Sequence, residues 1–337
     1  MKLPKRGYMA LVFVVGVIFG GLYFVNASWL AGPVRGAPRV VAQRGVAQRY
    51  SLSEVTNDSC TARMILPPSH PLIDNTAPSI EADADVVEID IRLTRDHQFV
   101  LFHDDALECR TNGSGRVSEH TVAELKTLDV GYGYTADDGR SFPLRGKGVG
   151  LMPTLAEVLQ KYPAQPFLVQ IKDGDRGVAD SLLAYLKANQ LEASERLTFF
   201  GAVAPLRRLR KLLPTVRAWS APSAGQCLAG YLETGWFGRV PRTCDDGIII
   251  IPIDQANLIW GWPNRFLARM REHHTDVMLV GRIDSLAKGQ WSRLDTIQEL
   301  SRVPSGFDGS IWTDQIRVIG PAVRKLENDT AATPVKQ

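Results

Sequence analysis

The sequence predicts an α/β fold, a (β/α)8 TIM-barrel-like chain with long loop insertions after its first and third strands. Two observations carry this. Short β-branched runs bounded by turn residues alternate with stretches of helical periodicity from Arg39 almost to the end of the chain. Polar and charged residues collect at the C-terminal ends of those runs, which is where barrels of this class carry their sites.

The expected strands are Arg39–Gln43, Val86–Leu93, Phe99–His103, Phe167–Lys172, Leu197–Gly201, Arg217–Ala221, Gly247–Pro252, Val277–Gly281 and Gly309–Thr313. Helical periodicity lies over Val122–Leu128, Thr154–Tyr162, Val178–Asn189, Pro205–Leu213, Asn264–His273 and Leu294–Val303. The strand candidates exceed the places of an eight-stranded barrel by one, and Gly247–Pro252 or Arg217–Ala221 is expected to be peripheral. Only a short stretch separates Leu93 from Phe99. It is too short for a helical crossover, so that connection must be irregular. Two long segments, Val46 to Asn75 and Thr111 to Pro153, break the rhythm at the C-terminal ends of strands. The second carries Gly131-Tyr132-Gly133-Tyr134 and Arg145-Gly146-Lys147-Gly148 and reads as a lid, a substrate wall or a surface loop.

The organisation expected is a signal anchor or signal peptide over residues 1–30, a linker over 31–38, the barrel over 39–326 and a flexible tail over 327–337. Lys2, Lys5 and Arg6 precede an uncharged apolar run from Tyr8 to Val25. A spanning helix needs roughly 20 apolar residues, whereas a secretory signal has an apolar core of about 7–15 and small residues at its cleavage site. The run therefore predicts a membrane anchor that leaves the rest of the chain on the extracytoplasmic side, periplasm or cell exterior. The alternative is secretion after cleavage near Ala27.

Hydrophobic content of 45% and charged content of 22% are those of a globular chain, and a net charge of +3 is small. The run Arg207-Arg208-Leu209-Arg210-Lys211 reads as the solvated face of a helix, so no nucleic-acid partner is expected. The four cysteines, Cys60, Cys109, Cys227 and Cys244, form no CxxC pair. Disulfides Cys60–Cys109 and Cys227–Cys244 are the pairings suggested, against four free thiols.

The strand ends hold the chemistry. The first ends in Gln43-Arg44-Gly45. The second carries Glu88-Ile89-Asp90, whose spacing turns both carboxylates to one side of a strand. The third ends in His103-Asp104, and the fourth carries Gln170-Ile171-Lys172. Inward carboxylates are costly unless neutralised, and a hard cation such as Mg²⁺ or Ca²⁺ does this with oxygen ligands. A cation beside Arg44 and Lys172 suits an oxygen-rich anion such as a phosphodiester, and His103 is placed to move a proton at the ester oxygen. A buried salt-bridge cluster with a structural histidine is the alternative reading of the same residues.

These motifs, in order, resemble the glycerophosphodiester phosphodiesterase family. The matching pieces are Gln43-Arg44-Gly45 (His-Arg-Gly in the family), Asp74-Asn75-Thr76 (Glu-Asn-Thr), Glu88 to Asp96, Val100 to Asp104, Met152 to Leu159 and Gly306 to Asp314. The resemblance implies a barrel that hydrolyses glycerophosphodiesters, or related phospholipid-derived substrates, to an alcohol and glycerol 3-phosphate. It implies a divalent cation on Glu88, Asp90 and the position of Gln170, phosphate binding by Arg44 and Lys172, and His103 as the acid for the leaving oxygen. Asp74 and Asn75 stand at secondary positions.

Three positions depart from the family pattern. Gln43 replaces the first histidine, and an amide does not shuttle protons. Gln170 replaces a metal carboxylate, which removes one charge from the shell, and Asp74 shortens a glutamate. The expectation is a metal-dependent phosphoric diester hydrolase, with a headgroup-binding module that no longer turns over as the alternative.

Overall fold

A computed structural model describes residues 5–33, 36–46, 49–50, 64–65, 80, 82–108, 110–135, 139–285 and 290–332. Nine strands matter for the site: β1 (Arg39–Ala42), β2 (Val86–Leu93), β3 (Phe99–Leu101), β4 (Phe167–Ile171), β5 (Leu197–Gly201), β6 (Ala218–Trp219), β7 (Ile248–Pro252), β8 (Asp276–Val280) and β9 (Ser310–Thr313). Eight are barrel strands of the expected (β/α)8 class. The main helices are α1 (Lys5–Asn26), α2 (Leu155–Lys161), α3 (Val178–Ala188), α4 (Val203–Leu212), α5 (Ala221–Thr234), α6 (Asn264–Glu272) and α7 (Ile316–Ala332).

The chain divides into two compact units. The larger holds residues 39–221, 293–300 and 311–337, and its strands run in the order β6-β5-β4-β2-β1-β9. β2 is the centre of this unit and all but its end residues are buried, because strands flanked on both faces read as continuous apolar runs. That makes Glu88 and Asp90 exceptions to be explained. α2 begins with a reciprocal cap: Thr154 accepts from the Glu157 amide while the Glu157 carboxylate accepts from the Thr154 amide. Such a cap is worth about 1 kcal/mol. In α7, a Cβ on Gly320 would lie 1.9 Å from the Ala82 carbonyl oxygen, so only glycine lets this helix approach the turn before β2 so closely.

The supernumerary strand is neither of the two expected. β3 turns back antiparallel on β2, with Leu93 opposite Phe99 and Ile91 opposite Leu101. The short connection permits a hairpin and nothing else. The long segment that follows has a core of its own, in which Val100, Phe102, Leu107, Val117, Leu125, Val130 and Met152 cluster. Its glycine-rich part is tied to the Asp129 carboxylate, which accepts from the amides of Gly131 (2.9 Å), Gly146 (2.6 Å) and Gly148 (2.9 Å). Most of Val46 to Asn75 lies outside the described residues. The last helix runs on to Ala332, well into the stretch expected to be a tail.

The smaller unit holds residues 1–38, 222–292 and 301–310. In it β7 and β8 pair in parallel, and Cys227 and Cys244 are bonded to each other. Cys60 and Cys109 lie outside the described residues. Arg269 of α6 is buried and donates to Tyr231 Oη (2.8 Å), Asn26 Oδ1 (3.1 Å) and the Val25 carbonyl (2.9 Å).

The expectation of a membrane anchor is corrected here. Among the described residues no helix is long and apolar enough to cross a membrane. α1 spans the apolar run, but its last turn serves as an acceptor surface for Arg269. Ala27, expected beside a cleavage site, is buried between α1 and the turn Ser28–Leu30. With the anchor goes the membrane-anchored placement expected from it.

Candidate active site

All site residues described below belong to the larger unit. β1 delivers Gln43 and Arg44. Gln43 is buried, its amide donates to the Thr313 carbonyl (2.9 Å), and its side-chain oxygen accepts from Arg293 Nε (3.1 Å). Arg44 has φ of +48° and is followed by Gly45 at +68°, a left-handed turn that an arginine adopts at a cost. The turn aims the Arg44 amide at Glu88 Oε2 (2.9 Å) and its side chain at Asp90, with Nε 3.1 Å from Oδ2.

β2 carries Glu88 and Asp90, 0% and 5% exposed. The two respond oppositely to the same surroundings. Burial and then the neighbouring Asp90 charge push the Glu88 carboxyl up to about 8. Burial works against ionised Asp90 too, but His103 and the cations Lys172, Arg44 and Arg110 outweigh it and hold the carboxyl below its usual range. Among the described residues no hydrogen bond reaches Glu88 Oε1 or either Asp90 oxygen. Unsatisfied buried carboxylate oxygens are a demand for a cation. Gln170 lies in register with Asp90 on the neighbouring strand and can add a neutral oxygen. This donor set fits one hard divalent ion, although the described residues contain no cluster of three or more His, Cys, Asp or Glu placed to hold a metal.

The third wall is a chain of polar contacts. Lys172 Nζ lies 3.0 Å from His103 Nε2 and 3.9 Å from Asp90 Oδ1. His103 Nδ1 lies 2.7 Å from Asp104 Oδ1, and Arg110 Nε donates to the other Asp104 oxygen (2.7 Å). Arg110 also donates to Tyr134 Oη (3.1 Å). Burial opposes the Asp104 charge, but Arg110 and His103 hold that carboxyl far below its ordinary range. Asp104 is therefore an ionised acceptor, which places the imidazole proton on Nδ1 and leaves Nε2 as an acceptor facing Lys172. Burial and then Arg44 push His103 down to about 4, so it is neutral at pH 7.

A row of side chains in register continues sideways from this centre: Asp90, Gln170, Phe200 and Trp219. Phe200 stacks on Trp219 (centroids 4.9 Å apart), and Trp312 meets both edge-on. Arg293 lies over the Trp312 ring, its Cζ 3.9 Å from the centroid.

The structure thus brings together Gln43, Arg44, Glu88, Asp90, His103, Gln170 and Lys172. Asp74 and Asn75 lie outside the described residues. Sequence reasoning missed Arg293, Asp295, Asp314 and the supporting role of Arg110. Asp314 was visible in the closing motif. Arg293 stands in no motif, and nothing local marks it.

Residues 66–198 match the glycerophosphoryl diester phosphodiesterase family. A glycerophosphodiester phosphodiesterase of Bacillus subtilis is 33% identical over 131 residues, which cover 37% of this chain and 43% of that protein. The chain thus spans less than half the length of that relative. Among solved structures, a glycerophosphoryl diester phosphodiesterase domain from Mycobacterium tuberculosis aligns with TM-score 0.58 at 14% identity. It covers 85% of this chain and 99% of that one. A phosphodiesterase of Oleispira antarctica, in complex with the product sn-glycerol-3-phosphate, aligns with TM-score 0.51 at 17% identity, covering 87% of this chain and 97% of that one. At these identities the two structures speak for the fold. The family match covers Glu88, Asp90, His103 and Lys172, and over residues 66–198 the chain is similar to the glycerophosphoryl diester phosphodiesterase family.

Proposed function

We propose that this chain hydrolyses glycerophosphodiesters to an alcohol and glycerol 3-phosphate. The observation that carries the proposal is the arrangement of two unsatisfied buried carboxylates beside two cations, Arg44 and Lys172, and a histidine whose tautomer is fixed from behind by Asp104. A fold needs none of this, and a phosphodiester suits all of it.

In this reading Arg44 and Lys172 bind the phosphate oxygens, Arg44 as the planar fork and Lys172 as a point charge. Glu88, Asp90 and Gln170 would hold a divalent cation, Mg²⁺ or Ca²⁺, which when bound supplies charge neutralisation at the phosphate. Lys172 Nζ donates to His103 Nε2, and the pair supplies the proton that the departing alcohol oxygen takes. Asp104 keeps the ring oriented throughout, and Arg110 keeps Asp104 ionised.

The second reading is a headgroup-binding module. Gln43 favours it, since a general base is worth about 10²–10⁴-fold and an amide supplies none. The deciding experiment follows glycerol 3-phosphate released from glycerophosphocholine and glycerophosphoethanolamine, with Mg²⁺, Ca²⁺ or a chelator present. Turnover with a cation that disappears with chelator is the expected outcome. Saturable binding of the same diesters with no release would favour the module.

A further inference from the structure

The replacement of the family histidine by Gln43 leaves a question that the neighbouring side chains answer. The Gln43 amide donates to the Thr313 carbonyl, so the residue after Thr313 stands beside Gln43 at the adjacent strand end. That residue is Asp314. One guanidinium spans the two, with Arg293 Nε at 3.1 Å from Gln43 Oε1 and 4.0 Å from Asp314 Oδ1. We propose that Asp314 is the general base of this enzyme, in place of the missing histidine, and that Arg293 holds Gln43 aside from it. The proposal rests on the hydrolase reading given above.

Three features suit Asp314 to the task. Its side chain is 28% exposed, open enough to meet a water or a substrate, whereas Glu88 and Asp90 are sealed. Its only ion pair among the described residues is the loose one to Arg293, which leaves its oxygens available for a proton. Asp295 backs it from the neighbouring loop: Asp295 Oδ1 accepts from the Asp314 amide (2.8 Å) and from Thr313 Oγ1 (3.0 Å), which fixes the backbone that presents the carboxylate. The charged groups facing Asp314 are Arg293, Arg44 and Asp295. Burial raises the Asp314 carboxyl above its ordinary value, while Arg293 and Arg44 pull it down. A carboxylate with some proton affinity is the better base near neutral pH.

The step balances without an added co-reactant. Water forms its bond to phosphorus as one of its protons passes to Asp314. The bond from phosphorus to the alcohol oxygen breaks, and that oxygen takes the proton held between Lys172 and His103. The proton on Asp314 then leaves to solvent and the Lys172–His103 pair is reprotonated.

Arg293 gives Gln43 its part. By donating to the carbonyl end of the amide it leaves the NH₂ end turned the other way, as a donor and not a competing acceptor. Position 43 then binds where the family histidine would move protons.

The test uses the full chain, with glycerophosphocholine and the cation that supports turnover, and compares the parent with Asp314→Asn, Gln43→His and the double variant. Asparagine keeps the size and the acceptor of the aspartate. Expected are a loss of kcat in Asp314→Asn of about 10²-fold or more and recovery of most of it when Gln43→His is added. The acid limb of kcat/KM then moves into the imidazole range near about 6.5. A structural role would not move that limb. Turnover in Asp314→Asn within a few-fold of the parent overturns the proposal. So does a folded double variant, with unchanged KM, that is no faster than Asp314→Asn. A silent parent with an active Gln43→His also overturns it, while leaving the hydrolase class standing. Silence from both on every diester tried overturns the hydrolase reading itself.

Discussion

The two sides of the site are built in different ways. On the His103 side each polar group has its partner in a continuous series, Lys172 to His103 to Asp104 to Arg110 to Tyr134. On the Gln43 side an arginine drawn from far along the chain holds an amide, and Asp314 stands close enough to Asp295 to oppose its ionisation. The first side is prepared for one task, with protonation states fixed from behind. The second is looser and charged, and its chemistry is set by groups outside the motif. In the proposed reading, the signature loses its histidine and the site keeps its base, because the surrounding charges are rearranged.

The comparison is broken most directly at His103. If the prepared side donates the leaving-group proton, His103→Ala lowers kcat by about 10²–10⁴-fold with little change in KM, read by steady-state kinetics. An activity untouched by the substitution would shift the chemistry to the other side. Next in size, Arg110→Ala leaves Asp104 charged, buried and without its guanidinium. Breaking such a pair costs about 3–5 kcal/mol, to be read by urea denaturation, and a loss under 1 kcal/mol would mean that Asp104 is held by other means.

Between the two sides lies the carboxylate pair. A saturating divalent cation should stabilise the folded chain by about 2.7 kcal/mol at a hundredfold excess over Kd, seen as a raised Tm. The gain should vanish in Glu88→Gln and in Asp90→Asn, and a gain that survives both would place the ion elsewhere.

The smallest effect sharpens the other side. Burial and then Asp314 push Asp295 up to about 6. A carboxyl raised in the folded state stabilises relative to its ionised form only while protonated. Its contribution is whole below the unfolded value near 4 and is lost as pH rises through about 6. Asp295→Asn keeps the acceptor for the Asp314 amide and Thr313 hydroxyl and removes the titration. Its Tm should match the parent at pH 4 and exceed it at pH 8. Equal Tm values at both would mean that the pair does not repel in solution.

Much of this was legible in the sequence, and the reasons differ by residue. Glu88 and Asp90 declare themselves because charge in the middle of Val86–Leu93 has no structural excuse. His103 and Lys172 follow from their places at strand ends. The hairpin of β3 was implicit in the short stretch after Leu93, yet the surplus strand was sought elsewhere because β-branched runs do not reveal direction. α5 escaped because Pro222, Gly225 and Gly230 read as a loop. In the fold the Cys227 bridge and the buried Tyr231 hold that segment as a helix. α7 escaped for a like reason, with Gly320 and Pro321 in its interior. The apolar run of α1 read as a membrane span because periodicity counts apolar residues and cannot see Arg269, more than two hundred positions away, closing on its last turn. Arg293 was out of reach for the same reason: its distance from Gln43 is long in sequence and short in space.

The adjacency of β1 and β9 also sets an order in time. Residues 43 to 172, which bring Arg44, Glu88, Asp90, His103 and Lys172, leave the ribosome well before Arg293 and Asp314. The interval is about 140 residues, or roughly 10–30 s at typical rates of synthesis. A growing chain would thus own its anion-binding and cation-binding groups before it owned its base. It would be able to grip a diester early, and to cut one only when its last strand had docked beside its first.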